Sequence, residues 1–233
     1  MHFLQSGSAD GTPPSPELLR EMQRRMGPPD NEVPGAIPFH AVLGRTDDFA
    51  LALVGADAYS TGIVLSFAAR LRYSDREDND LHEQLYSHRR GPSAGQLLIG
   101  VAYPDGQAAT NVAARPYREM LRELDKPQQP MLVQRGGGGG GREFGFSMWL
   151  APLPPPGDLT IVIEWPARGI PETHTTIPAD VTAAGVAATV ELWPWEPATD
   201  GDERPVPDPP DLPEGGWFAK HTPDASDVAD RDE

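Results

Sequence analysis

The stretch Ile63-Val64-Leu65-Ser66-Phe67-Ala68-Ala69-Arg70-Leu71-Arg72 decides how this chain folds. In extended backbone Ile63, Leu65, Phe67, Ala69 and Leu71 fall on one side, while Val64, Ser66, Ala68, Arg70 and Arg72 fall on the other. A period of two, with one face turning polar toward the end, is the pattern of a half-buried antiparallel strand. Working back from it, Phe49, Leu51 and Leu53 alternate with alanines over Phe49 to Val54, and Phe39 to Gly44 reads as an earlier strand.

Working forward, Leu97 to Tyr103 is a strand, and Pro104-Asp105-Gly106 supplies the turn chemistry for a hairpin into Gln107 to Val112. A strand at Met131 to Gln134 precedes six glycines, Gly136 to Gly141, which read as a flexible connector. Phe144, Phe146, Met148 and Leu150 then alternate. Pro154-Pro155-Pro156-Gly157 turns the chain, and Leu159, Ile161, Ile163 and Trp165 return it.

About seven strands separated by turns, without alternating long helices, predict a mainly β fold, an antiparallel β-sandwich. An immunoglobulin-like sandwich is the nearest named arrangement, although a chain without cysteine cannot carry the Cys–Trp–Cys signature of antibody domains. The sandwich is placed at residues 37–195, with long loops at 74–96 and 113–130. The first loop would hold one helical turn near Leu81 to Tyr86, and the second a short helix from Pro116 to Asp125.

Two further helices flank the strands. Ser15-Pro16-Glu17 is good start chemistry, with a hydroxyl cap, a proline in the first turn and an acid complementing the dipole. The short helix over 15–27 would put Leu19, Met22 and Met26 on one stripe, with Arg20, Arg24 and Arg25 populating the other side. Ala179 to Trp193 reads as a C-terminal helix that caps one end of the sandwich or covers an edge strand. Residues 1–14 and the acidic, proline-rich tail 196–233 are expected to be disordered, being too poor in apolar side chains to offset their ordering entropy.

The formal net charge is -16. Twelve Asp or Glu against three Lys or Arg lie in residues 196–233, so more than half of that charge sits outside the core. A polyanion is repelled by phosphates and anionic lipid, so neither nucleic acid nor membrane is an expected partner. No apolar run approaches the roughly 20 residues of a bilayer span, and residues 1–11 lack the layout of a signal peptide. A cytoplasmic setting is expected, which also suits the absence of cysteine.

No catalytic constellation emerges, and no cofactor or metal is expected. The glycine run is followed by Arg142-Glu143 and a strand, not by the Lys, Ser or Thr and helix of a phosphate loop. His82-Glu83 begins a zinc-protease pattern, but Tyr86 stands where its second histidine belongs and His88 is out of phase. Gly145-Phe146-Ser147-Met148-Trp149 lacks the second glycine of a nucleophile elbow and sits in mid-strand. Asp47, Asp48 and Asp57 are weighed as calcium ligands, with turn formation the commoner use of such residues.

The remaining signals point to binding. The alternative is a small-molecule or carbohydrate-binding module, an enzyme among the options, with an aromatic cleft framed by Trp149 and Trp165, although the same tryptophans could simply pack the core. Trp217 and Phe218 form an aromatic island in the polar tail, and Arg20 and Arg24 mark a basic helix face. A non-enzymatic protein acting on an unknown protein partner is the leading expectation, with homodimerisation a further one.

The glycine run, the segment Trp149-Leu150-Ala151-Pro152-Leu153-Pro154-Pro155-Pro156-Gly157, Glu164-Trp165-Pro166 and Gly169-Ile170-Pro171-Glu172-Thr173 together resemble a group of uncharacterised proteins of high-GC Gram-positive bacteria. The resemblance spans Ile37 to Trp195. It implies a shared fold and a bacterial cytoplasmic setting, and it carries over no activity.

Overall fold

A computed structural model describes residues 15–73, 95–112, 127–197 and 216–217. Residues up to Pro197 form one compact unit and Ala198–Glu233 a second. The first unit is mainly β and sandwich-like, built from antiparallel sheets with a helix toward each end of the chain.

Strand β5 (Gly62–Leu71) is the element that the deciding stretch predicts, and Ile63, Leu65, Phe67 and Ala69 are buried along it. It pairs on one side with β4 (Phe49–Tyr59) and on the other with β9 (Glu143–Ala151). Strand β8 (Met131–Gly140) completes that side of the larger sheet. The far edge is shared: β3 (Ala41–Arg45) pairs with the first half of β4, and β2 (Gly35–Ile37) with the second. The smaller sheet runs β11 (Ile170–Ile177), β10 (Leu159–Trp165), β6 (Leu98–Ala102), β7 (Ala108–Thr110).

The inward faces of both sheets make one core. Phe49 of the larger sheet meets Trp165 of the smaller one edge to face at 4.9 Å, pinning the two sheets together. At the sheet margins the Thr173 hydroxyl donates to the Leu43 carbonyl, closing β11 onto β3.

Several expectations are corrected. The glycine run is not a connector: Gly136 to Gly140 are the second half of β8, in register with Ser147 to Glu143 of β9. Ladder hydrogen bonds need no side chain, so a good partner strand suffices. Gly141, at φ 66, makes the turn with Arg142 as the first residue of a two-residue hairpin. The strand placed at Phe39 to Gly44 begins at Ala41, because Phe39 is drawn into a tight turn by its N–H bond to the Ile37 carbonyl.

The C-terminal helix, α2 (Ala179–Ala187), stops short of Trp193. Thr189 turns its hydroxyl to the Ala58 carbonyl, and Val190–Glu191 become strand β12, paired with β1 (Glu32–Val33) in a two-stranded ribbon. Helix α2 covers edge strand β2, as expected. A Cβ on Gly35 would stand 1.8 Å from the Gly185 carbonyl oxygen, so the two backbones touch through paired glycines.

Helix α1 (Pro16–Met26) has the expected Ser15 cap, whose hydroxyl oxygen accepts the Leu18 N–H. Arg25, read as part of a basic outer face, is buried, with its Nε on Glu21 at 2.7 Å. The predicted helices at 81–86 and 116–125, and most of the loops at 74–96 and 113–130, lie outside the described residues.

Candidate functional site: a charged cleft under the N-terminal helix

Trp149 and Trp165 do not frame a cleft. Both are 0% exposed. Trp165 points into the sandwich core, where its indole nitrogen finds no hydrogen-bond partner among the described residues. Trp149 lies on the opposite, outward face of the larger sheet, because it alternates with the core residues Met148 and Leu150. There α1 covers it, and its indole donates to the Arg25 carbonyl at 3.2 Å. The Tyr59 ring meets it edge to face at 5.8 Å. Burial holds the Tyr59 hydroxyl above the ordinary phenol range, with the Asp57 charge adding to the effect and Arg135 opposing it.

Asp47 and Asp48 precede β4, whereas Asp57 stands near its far end, about 30 Å away by the rise of an extended strand. The calcium set is therefore not assembled. Trp217 belongs to the second unit and is 67% exposed. Phe218, His82 and His88 lie outside the described residues.

Arg20 and Arg24 are the predicted site residues that the structure brings together. They stand one turn apart on α1 and, with Gln23, form one wall of a cleft of about 450 Å³. The β1–β12 side and the β4–β5 turn contribute a second wall, through Asn31, Glu32, Ser60 and Glu191. Leu153, Val186 and Trp195 supply its apolar lining. That volume falls within the range of small-molecule and peptide-side-chain pockets.

Trp195 carries no signal of a site in the sequence, because it follows the helix pattern and borders the acidic tail. Its position depends on chain reversal after α2. The indole donates to the Gln23 side-chain oxygen at 2.5 Å, and the Arg20 guanidinium lies over the ring at 5.7 Å. On the other wall, the Ser60 backbone N–H donates to Glu32 at 2.9 Å and its hydroxyl bonds the second Glu32 oxygen. Asn31 donates to Glu191 at 3.3 Å and to the Trp193 carbonyl at 2.8 Å.

The ribbon has a second face. Val33 and Val190 are cross-strand partners, and they are 47% and 54% exposed. Leu192 and Trp193 follow at 46% and 59%. The pairing that puts Glu32 opposite Glu191 on the cleft side puts the two valines on the other.

Among the described residues no group of three or more His, Cys, Asp or Glu gathers as a metal site, and no helix is long and apolar enough to cross a membrane. The chain matches no family model, no curated protein and no solved structure.

Proposed function

We propose that this protein is a non-enzymatic recognition module that binds a protein partner through the ribbon and cleft beside α1. The carrying observation is a set of half-exposed apolar side chains, Val33 and Val190 paired on the ribbon and Leu192 and Trp193 directly after it in the chain. Isolated exposed apolar residues are ordinary, but four close together along one ribbon and its continuation, with a tryptophan among them, have the composition of an interface core.

An immunoglobulin-like frame supports the reading. The orders β4-β5-β9-β8 and β11-β10-β6-β7 correspond to A-B-E-D and G-F-C-C′ of that fold. In this frame the cleft sits near the A–B and E–F turns, at Ser60 and Leu153.

Affinity capture from the native host, with Val190→Asp/Trp193→Ser against the unaltered chain, tests the proposal. A defined partner should fall by about tenfold or more in recovery, the scale of losing an aromatic anchor. Equal recovery of every partner by both proteins would overturn it.

A further inference from the structure

We infer that the cleft receives an extended segment of that partner bearing an acidic and a basic side chain close together. The inference rests on the protein-partner reading above and adds the chemistry of the recognised segment.

The first wall carries uncompensated positive charge. At the same spacing on the same helix, Glu21 and Arg25 pair with each other, whereas Arg20 and Arg24 are like charges one turn apart. Such a pair destabilises a helix by a few tenths of a kcal/mol. Neither guanidinium meets a carboxylate among the described residues, in a chain with 35 acidic and 19 basic side chains. Arg20 is also held ready, because Trp195 under it is fixed by Gln23. An anionic group between the two arginines would relieve their repulsion.

The second wall is its electrostatic complement. Glu32 takes its hydrogen bonds from neutral donors of Ser60, and Glu191 from the neutral amide of Asn31. Neither carboxylate forms an ion pair with a cation among the described residues. The cleft is therefore lined by two positive and two negative groups that form no ion pair with one another. A wholly acidic ligand would be attracted by one wall and repelled by the other. A dipolar segment satisfies both, while its apolar parts rest on Leu153, Val186 and Trp195.

The test titrates the full chain with four hexapeptides blocked at both ends, on one Leu-containing frame: dipolar (Asp and Lys), acidic, basic and uncharged. The dipolar peptide should bind about tenfold or more tightly than the other three, a difference of one close charge pair. In Arg20→Glu/Arg24→Glu both cleft walls become acidic, so the order should invert in favour of the basic peptide. These arginines are exposed, and an unchanged thermal midpoint will confirm that the variant folds.

Equal affinity for all four peptides, or an order unmoved in the double variant, would overturn the inference. If that happened while Val190→Asp/Trp193→Ser still abolished partner recovery, the recognition reading would survive and only the cleft chemistry would fall. Discriminating peptide binding without partner loss in the ribbon variant would sink the strip and keep the cleft.

Discussion

The indole nitrogen of Trp149 donates to the backbone carbonyl of Arg25, tying the last turn of α1 to the outer face of the larger sheet. Carbonyls in a final helical turn have no intrahelical partner, so this bond supplies one from a strand far along the chain. An eleven-residue helix is marginal on its own. Its position, and with it one wall of the cleft, depends on that tryptophan.

Trp149→Phe should therefore cost about 2 kcal/mol, combining a lost hydrogen bond with an orphaned carbonyl. Trp149→Ala should cost about 3–5 kcal/mol. Urea unfolding monitored by far-ultraviolet dichroism gives both values. Limited proteolysis should show early cutting within Pro16–Met26 in the alanine variant.

Trp165 is equally buried but has no partner for its N–H among the described residues. Trp165→Phe removes an unsatisfied donor along with some packing, so its stability should stay within about 1 kcal/mol of the parent. A midpoint loss as large as that of Trp149→Phe would show that the indole nitrogen is bonded after all.

Neighbouring glycines of β8 should respond oppositely. A Cβ at Gly138 meets nothing within 4 Å among the described residues, and Gly138→Thr should stabilise by about 0.5–1 kcal/mol through better strand propensity. At Gly139 the Cβ would stand 2.1 Å from the Glu143 carbonyl oxygen, and Gly139→Ala should destabilise by about 1–3 kcal/mol. Thermal midpoints of the two single variants provide the comparison.

Gly35→Ala should be among the costliest small substitutions, about 3 kcal/mol, because backbone of α2 occupies the space its methyl needs. Hydrogen exchange should show faster opening of α2 and the β1–β12 ribbon, with the rest of the sandwich unaffected.

Alkaline pH should unfold the protein through Tyr103. Its hydroxyl donates to the Pro152 carbonyl at 2.8 Å, and burial raises its pKa well above the usual 10.0, with Asp105 adding to the shift. The folded state thus keeps a proton that the unfolded state releases. This contribution is complete below pH 10.0 and is lost as the pH rises beyond it toward the folded-state value. Tyr103→Phe should flatten the fall in unfolding free energy above that pH.

Much of the sandwich was legible in the chain because strand burial follows a period of two. Ile63 to Leu71, Phe144 to Leu150 and Leu159 to Trp165 announce both their conformation and their buried faces. Gly136 to Gly140 did not, since a residue without a side chain has no pattern to show. The end of α2 was hidden for another reason: Val190 and Glu191 suit a helix locally, and only pairing with Glu32 and Val33 makes them a strand.

The site was less legible still. Arg20 and Arg24 were visible as a basic helix face, yet nothing nearby in sequence reveals that Glu32, Ser60, Glu191 and Trp195 line the same cleft. Alternation told that Trp149 and Trp165 are strand residues, but not which would be covered, or by what.

By itself, then, the sequence determined the strand segments, the antiparallel class and the helix start at Ser15, all of which follow from short-range sterics and the periodicity of burial. Tertiary structure alone decided that Trp149 is sealed by α1, that the glycine run joins a sheet, and that opposite charges line one cleft. The first and last of those outcomes rest on contacts between residues more than a hundred positions apart, such as Arg25 with Trp149 and Gln23 with Trp195, whereas the glycine run pairs with the strand that follows it. Such pairings leave no periodic trace in the chain, because their energy comes from partners that only folding brings together.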